Sequence, residues 1–193
     1  HPRFATTTAR VILDRTTAEF GAATKAERWG VPAMIRDLVL TGEAAVAGRR
    51  FTTEVLERQP AAGCVIWSGE TTVALGASRG RGGRCQEFAL SAALTLEEAG
   101  AAAEGLTILA AGTDGRDGPT DAAGAIVDAT TCRRMRDRGL DPAAMLAAHD
   151  SYDALDAAGA LLRTGPTGTN VNELVIALNR RLVPTRVPAP SPP

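Results

Sequence analysis

Three loops carry the residue types that could do chemistry. The first reads Gly80-Arg81-Gly82-Gly83-Arg84-Cys85-Gln86-Glu87. Its glycines let backbone N–H groups approach a ligand, and the N-terminus of the helix expected next attracts anions. Arginine adds a bidentate fork for phosphate or carboxylate. A surface hairpin with solvated arginines would use the same residues. The loop is not a Walker A loop, which needs a lysine, and it does not complete GxGxxG. The second loop is Gly112-Thr113-Asp114-Gly115-Arg116-Asp117-Gly118-Pro119-Thr120-Asp121. Closely spaced carboxylates repel, so they call for a cation or a hydrogen-bonded role. Hard oxygen ligands suit Mg²⁺ together with phosphates, and a carboxylate can also accept a hydroxyl proton during phosphoryl transfer. An Asx-turn cluster is the competing reading, because Asp-Gly and Gly-Pro are turn pairs. The third loop, Thr164-Gly165-Pro166-Thr167-Gly168-Thr169-Asn170, offers N–H groups and hydroxyls to an anion or polyol acid, or is a plain turn.

Other combinations lead less far. His149-Asp150-Ser151 has triad residue types, but three consecutive side chains cannot form the relay, so Asp150 or Ser151 is expected to cap a helix. Cys85 sits in a polar Arg/Gly setting of the kind that lowers a thiol pKa, without a basic partner. Trp29 and Trp67 are expected in the core.

The elements that must position these loops alternate. Val11-Ile12-Leu13 is a short apolar run, followed by cap residues and a helix to Trp29, which Gly30 stops. Residues 33–35 and 38–40 are strand-like, and a helix is expected over 43–58. This βαβα order suggests a parallel sheet. Strands are expected at 64–67 and 71–75, joined tightly through 68–70. A helix over 86–99 follows, in which Phe88, Leu90, Leu94 and Leu96 fit one face only approximately. Residues 106–111 are the clearest buried strand. Beyond the second loop come a strand at 125–127, helices near 130–138 and 142–158, and strands at 160–162 and 171–178. The tail is proline-rich and expected to be extended or disordered.

Composition sets the bounds. The chain has 193 residues, 45% hydrophobic and 22% charged, as in an ordinary α/β domain with a real core. Aromatics make up only 4%, so Ala, Val, Leu and Ile must build that core. The net charge of -1 argues against nucleic acid or an anionic membrane as partner. Lys25 is the single lysine; the three cysteines form no CxxC pair, which suits a reducing cytoplasm. No run of ~18 apolar residues is present, and the N-terminus has no signal-peptide pattern. The chain opens as a fragment or a processed piece would.

Taken together, the motifs resemble one family. SGETTV at 68–73, GRGGRCQE at 80–87, GTDGRDGPTDAAGA at 112–125, HDSY at 149–152 and GPTGTNVNEL at 165–174 follow the order and spacing of the MOFRL domain. That domain is the C-terminal half of class II glycerate 2-kinases, some of which carry the name hydroxypyruvate reductase. The resemblance implies an α/β fold: a three-layer, mixed or mostly parallel sheet with flanking helices. It divides the chain into the truncated end of a second α/β domain (1–59), a MOFRL domain (60–178) and the tail (179–193).

The activity implied is transfer of the γ-phosphoryl group of ATP to the 2-hydroxyl of D-glycerate, with Mg²⁺, in a cleft between two domains. Arg84, Asp114 and Asp117 are expected to be catalytic, with Asp114 and Asp117 on Mg²⁺ or one of them accepting the hydroxyl proton. Glu70, Gly80, Arg81, Gly82, Gly83, Gln86, Glu87, Thr113, Thr120, Asp121, Thr167, Thr169 and Asn170 fall on substrate- or nucleotide-binding positions. Two departures stand out: Cys85 replaces a family asparagine, and Leu13-Asp14-Arg15 replaces Gly-Ser-Asn. The resemblance also implies that a separate N-terminal domain or chain completes the enzyme, with its own lysine and glycine-rich loop, and leaves a homo-oligomer open. An NAD(P)H-dependent hydroxypyruvate reductase is the alternative, weakened by the missing dinucleotide fingerprint. A non-catalytic binding module is the third reading.

Overall fold

The computed structural model describes residues 8, 10–58, 63–76 and 80–183. Its first helix, α1 (Arg15–Arg28), begins at a capping box: Asp14 accepts from the Thr17 amide while Thr17 accepts from the Asp14 amide. Gly30, at φ +73°, follows its end, as its sequence position suggests. The apolar run Val11-Ile12-Leu13 joins no strand and stays exposed. Trp29 is also not in the core; it is 41% exposed, with the Lys25 ammonium 5.0 Å from its ring.

Strand β1 (Ala33–Ile35) pairs in parallel with β2 (Cys64–Gly69). Between them lies α2 (Ala44–Arg58). Of the strand expected at 38–40, only Leu40 forms a bridge, to Gly69. Strand β2 is buried along its whole length and runs straight through Ser68-Gly69, where a tight connection was expected. No strand follows at 71–75. The reason is where the backbone donors go: the Thr71 amide is taken by the Glu173 carboxylate and the Thr72 amide by the Gly42 carbonyl.

Helix α3 (Arg84–Ala99) is the central element. It packs against the sheet on one side, α2 on another, and the three later helices on a third. Burial on several sides explains why its apolar residues mark no single stripe. Phe51, Trp67 and Phe88 meet where α2, β2 and α3 touch, with ring centroids 5.6 and 6.0 Å apart. A protein poor in aromatics has gathered three of them at one junction.

The sheet continues with β3 (Leu106–Gly112), β4 (Gly124–Asp128), β5 (Leu161–Leu162) and β6 (Glu173–Asn179), in the order β1-β2-β6-β3-β4-β5. Among the described strands, β1 and β2 pair in parallel and every other neighbouring pair is antiparallel. The mixed sheet is therefore the correct reading and the mostly parallel one is not. Apolar runs between helices do not reveal strand direction, and β6, last in the chain, inserts between β2 and β3.

Helix α1 covers one sheet face through Ala23, Val31, Cys64 and Ile66, while α2, α3 and α4 (Thr131–Arg136), α5 (Pro142–Ala147) and α6 (Ser151–Ala157) lie on the other around the main core. This gives three layers. The single helix expected over 142–158 is broken at His149, whose φ is +55°. His149 Nδ1 lies 2.9 Å from Glu87, and Asp150 accepts from the Arg81 amide, so long-range contacts hold a break that local sequence does not announce.

The division expected at 59/60 falls outside the described residues. On either side of it, β1 pairs with β2 and α2 packs on α3, in one sheet and one core. Strand β6 includes Asn179, and a 3-10 turn at Arg180–Leu182 follows it; most of the expected tail, from 184 on, lies outside the described residues.

Candidate functional site

The sheet register places Gly69 and Gly112, the last residues of β2 and β3, on either side of Glu173, the first of β6. All three chain segments of interest gather at this end. A side chain at Gly118 (φ +60°) would put Cβ 2.3 Å from the Gly82 carbonyl oxygen, and one at Gly115 (φ +85°) would put it 2.0 Å from that of Gly165. Glycine there is what lets loops 80–87, 112–121 and 165–170 touch. The Thr167 amide donates to Asp114 O at 3.1 Å, and the Thr113 hydroxyl donates to Asn172 O and accepts from the Val171 amide. Asn170 Oδ1 accepts from the Asn172 amide, and the Thr169 amide donates to Thr167 Oγ1.

Arg84, the first residue of α3, reaches into the hollow between them. Its Nη1 donates to Glu70 Oε1 at 2.6 Å and to the Thr71 carbonyl at 3.1 Å, while Nε lies 2.9 Å from Glu173 Oε1. Glu70, Asp114, Arg116, Asn170 and Glu173 line the same cavity of about 290 Å³. The hollow between Val55, Leu106 and Ala177 has only Glu104 and Arg181 as charged lining.

The three aspartates of the second loop, alike in sequence, have different partners. Asp117, 5% exposed, accepts from the Cys85 amide through Oδ1 at 3.1 Å and from the Gln86 amide through Oδ2 at 2.7 Å. It thus caps α3 from a distant loop, where the N-cap residue Gly83 offers no side chain. Gln86 and Thr120 complete this knot: Gln86 Nε2 donates to the Asp117 carbonyl and to Thr120 Oγ1. Asp114 Oδ1 accepts from the Arg116 amide at 2.9 Å, an Asx turn. Asp121 accepts from Tyr152 Oη at 2.6 Å and Arg163 Nε at 3.0 Å, which hold its carboxyl below the usual range.

Arg81 joins that last group. Its guanidinium lies 3.9 Å over the Tyr152 ring and pairs with Asp153 at 2.5 Å. Arg81 and Asp121 therefore sit in a surface network beside the cavity that Arg84 lines. Gly80 packs on the Ala148–His149 backbone and Gly82 on Ser151 Oγ. Glu87 is buried beside His149 and Glu43, with its carboxyl pushed up by burial. The expected thiolate character of Cys85 is corrected: the residue is buried, and desolvation pushes its pKa well up. Asp150 is the N-cap residue of α6 but makes no cap bond, because its Oδ1 is taken by Arg81.

These positions test the fit of Mg²⁺. Both Asp117 oxygens are engaged by amides, leaving Asp114 as the one expected ligand with an oxygen to spare. Among the described residues no three His, Cys, Asp or Glu side chains group as a metal site. Of the two carboxylates expected on Mg²⁺, Asp114 is the more open and Asp117 is buried with both oxygens bonded to amides.

The profile of the MOFRL family matches residues 63–173. The chain belongs to the MOFRL family. Its relatives include the glycerate 2-kinase of Pyrococcus horikoshii, 45% identical over 163 residues, which are 81% of this chain and 36% of that one. The D-glycerate 2-kinase of Thermotoga maritima is 47% identical over 165 residues, 81% of this chain and 38% of that one. A crystal structure of glycerate kinase from Thermotoga maritima superposes with a TM-score of 0.81 at 44% identity, covering 88% of this chain and 41% of that one. The chain thus spans about two fifths of the length of the relatives it matches.

Within this MOFRL unit, sequence reasoning passed over Glu173 and Asn172 and gave Arg116 and His149 no role at the site. Glu173 was absorbed into the last strand. A carboxylate opening an otherwise apolar strand was the available signal. Nothing local marks the left-handed Asn172 (φ +71°) or the role of His149.

The Asp117 cap has a pH signature. Burial, partly offset by the Gln86 and Cys85 amides, pushes its pKa from 3.8 up to about 6. A carboxyl raised on folding binds protons more tightly in the folded state. Its contribution is therefore fully present below ~pH 4 and is lost as pH rises through 6, by up to about 3 kcal/mol. Urea unfolding from pH 4 to 7 is expected to show a decline that Asp117→Asn flattens. Equal slopes for both proteins would refute the buried titration.

Proposed function

We propose that this chain is the C-terminal part of an ATP-dependent D-glycerate 2-kinase, forming 2-phosphoglycerate. The observation that carries the reading is Arg84, held between Glu70 and Glu173 where three family loops converge, in a chain whose relatives bear that name. Phosphoryl transfer asks little covalent work of a protein; it needs charge neutralised and partners aligned. Arg84, with Arg116 beside it, supplies positive charge for transferring phosphate or the glycerate carboxylate. Asp114 is the carboxylate placed to accept the hydroxyl proton. Asp117 holds α3, and so Arg84, in place. ATP belongs to this proposal, and so does Mg²⁺, which Asp114 would hold.

A preceding α/β domain, in the same chain or a separate one, would supply the other wall of the cleft and the phosphate-binding lysine. Lys25 is spent on Trp29 and lies on α1, away from the three loops. No helix among the described residues is long and apolar enough to cross a membrane. A cytoplasmic setting is part of the same proposal.

The test is a coupled assay for ATP- and D-glycerate-dependent 2-phosphoglycerate formation, with NADH oxidation by hydroxypyruvate followed on the same preparation. The chain alone is expected to turn over far below ~1 s⁻¹, and the chain joined to the N-terminal region of a relative above it. Full activity of the chain alone would move the nucleotide site. NADH oxidation without phosphorylation would replace the kinase by a reductase. Neither activity in the joined protein would leave a binding module.

A further inference from the structure

Glu173 has no part in the reading above beyond lying next to Arg84. It is 3% exposed, at the head of β6 between the ends of β2 and β3. Its Oε2 is engaged by the Thr71 amide at 3.1 Å and hydroxyl at 2.8 Å. Its Oε1 is fully buried, makes no well-aligned hydrogen bond, and has the Arg84 Nε at 2.9 Å as its charged neighbour. A buried carboxylate oxygen without a hydrogen bond costs free energy that the Thr71 contacts do not explain, since a glutamine could keep them. Arg84 is the cation that offsets its charge.

We propose that Glu173 is a positioning residue whose charge anchors the Arg84 guanidinium in place. The guanidinium is gripped along two edges. Glu70, largely exposed and free to move, holds Nη1, while Glu173, locked by Thr71 and by the sheet on both sides, holds Nε. Only the second partner is itself immobile, so it sets where the guanidinium sits. Nη2 has no partner among the described residues. The catalytic consequence rests on the kinase reading; the grip itself does not.

The test separates the two. In this chain, exchange of the Arg84 Nε proton with water, followed by ¹⁵N spectroscopy, is expected to accelerate about tenfold or more in Glu173→Gln and to stay slow in Glu70→Gln, at matched thermal midpoints. In the chain joined to a relative's N-terminal region, Glu173→Gln is expected to lower kcat about 30-fold, leave KM for ATP within about threefold, and add nothing in an Arg84→Ala background. Unchanged Nε exchange in Glu173→Gln overturns the proposal. So does an equal kcat loss with and without Arg84, which would make Glu173 a structural brace. Absent turnover in the joined protein counts against the kinase reading, and the exchange measurement still decides the grip.

Discussion

Arg84→Lys should lower kcat of the joined enzyme by about 10²–10³ while the protein folds normally. Lysine keeps the charge but replaces a planar five-donor fork with one mobile ammonium. It cannot meet Glu70, the Thr71 carbonyl and Glu173 together and still present a donor edge to the cavity. Losing one preorganised electrostatic partner in a transition state typically costs about 3–4 kcal/mol of barrier. Because attraction for anions survives, KM should move much less than kcat. Arg84→Ala goes further, leaving the buried Glu173 without its counter-charge, so a fall in thermal midpoint is expected as well. Steady-state kinetics on the lysine variant decide the matter. A kcat within threefold of wild type would remove Arg84 from the reaction.

The second large effect concerns stability and can be read on this chain alone. Asp117→Ala strips two amides at the start of α3 of their acceptors, in a place closed to water. Each abandoned buried donor costs about 1–3 kcal/mol, so a loss of about 3–5 kcal/mol is expected, much of the stability of an ordinary domain. Asp114→Ala breaks one exposed Asx turn and should cost about 1 kcal/mol or less. In the joined enzyme the order reverses: Asp114→Asn should collapse kcat with the fold intact. Urea unfolding of both alanine variants side by side checks the first half. Equal destabilisation would show that the cap is not what holds α3.

What the sequence shows and hides follows from the range of the interactions. Most helices, β3 and β4 were legible because caps, glycine stops and short apolar runs are local signals. So were the three loops, whose glycines and aspartates lie side by side. Strand direction was not legible, because antiparallel β6 enters the sheet from the far end of the chain. Nor was the division of labour among Asp114, Asp117 and Asp121. Asp114 bonds to its near neighbour Arg116, but Asp117 and Asp121 are each one aspartate in a turn until α3 or Tyr152 arrives from elsewhere. Trp29 and Cys85 misled in opposite ways. The tryptophan ends a helix whose core-facing side is elsewhere, and the cysteine sits next to arginine in sequence but points into the core.

The strand order has a further consequence. The two outermost strands, β1 and β5, are three and two residues long, while the apolar strands β2, β3 and β6 lie inside. Unpaired N–H and C=O groups at a sheet rim are the template on which amyloid-like stacking starts, and very short rims deny it length. Arg36, the residue after β1, pairs with Glu54 and lies over Trp67. The sequences most prone to self-association, such as LTILAA and ELVIAL, are exposed only when the whole sheet opens. Aggregation of this protein should therefore follow global unfolding and not local fraying.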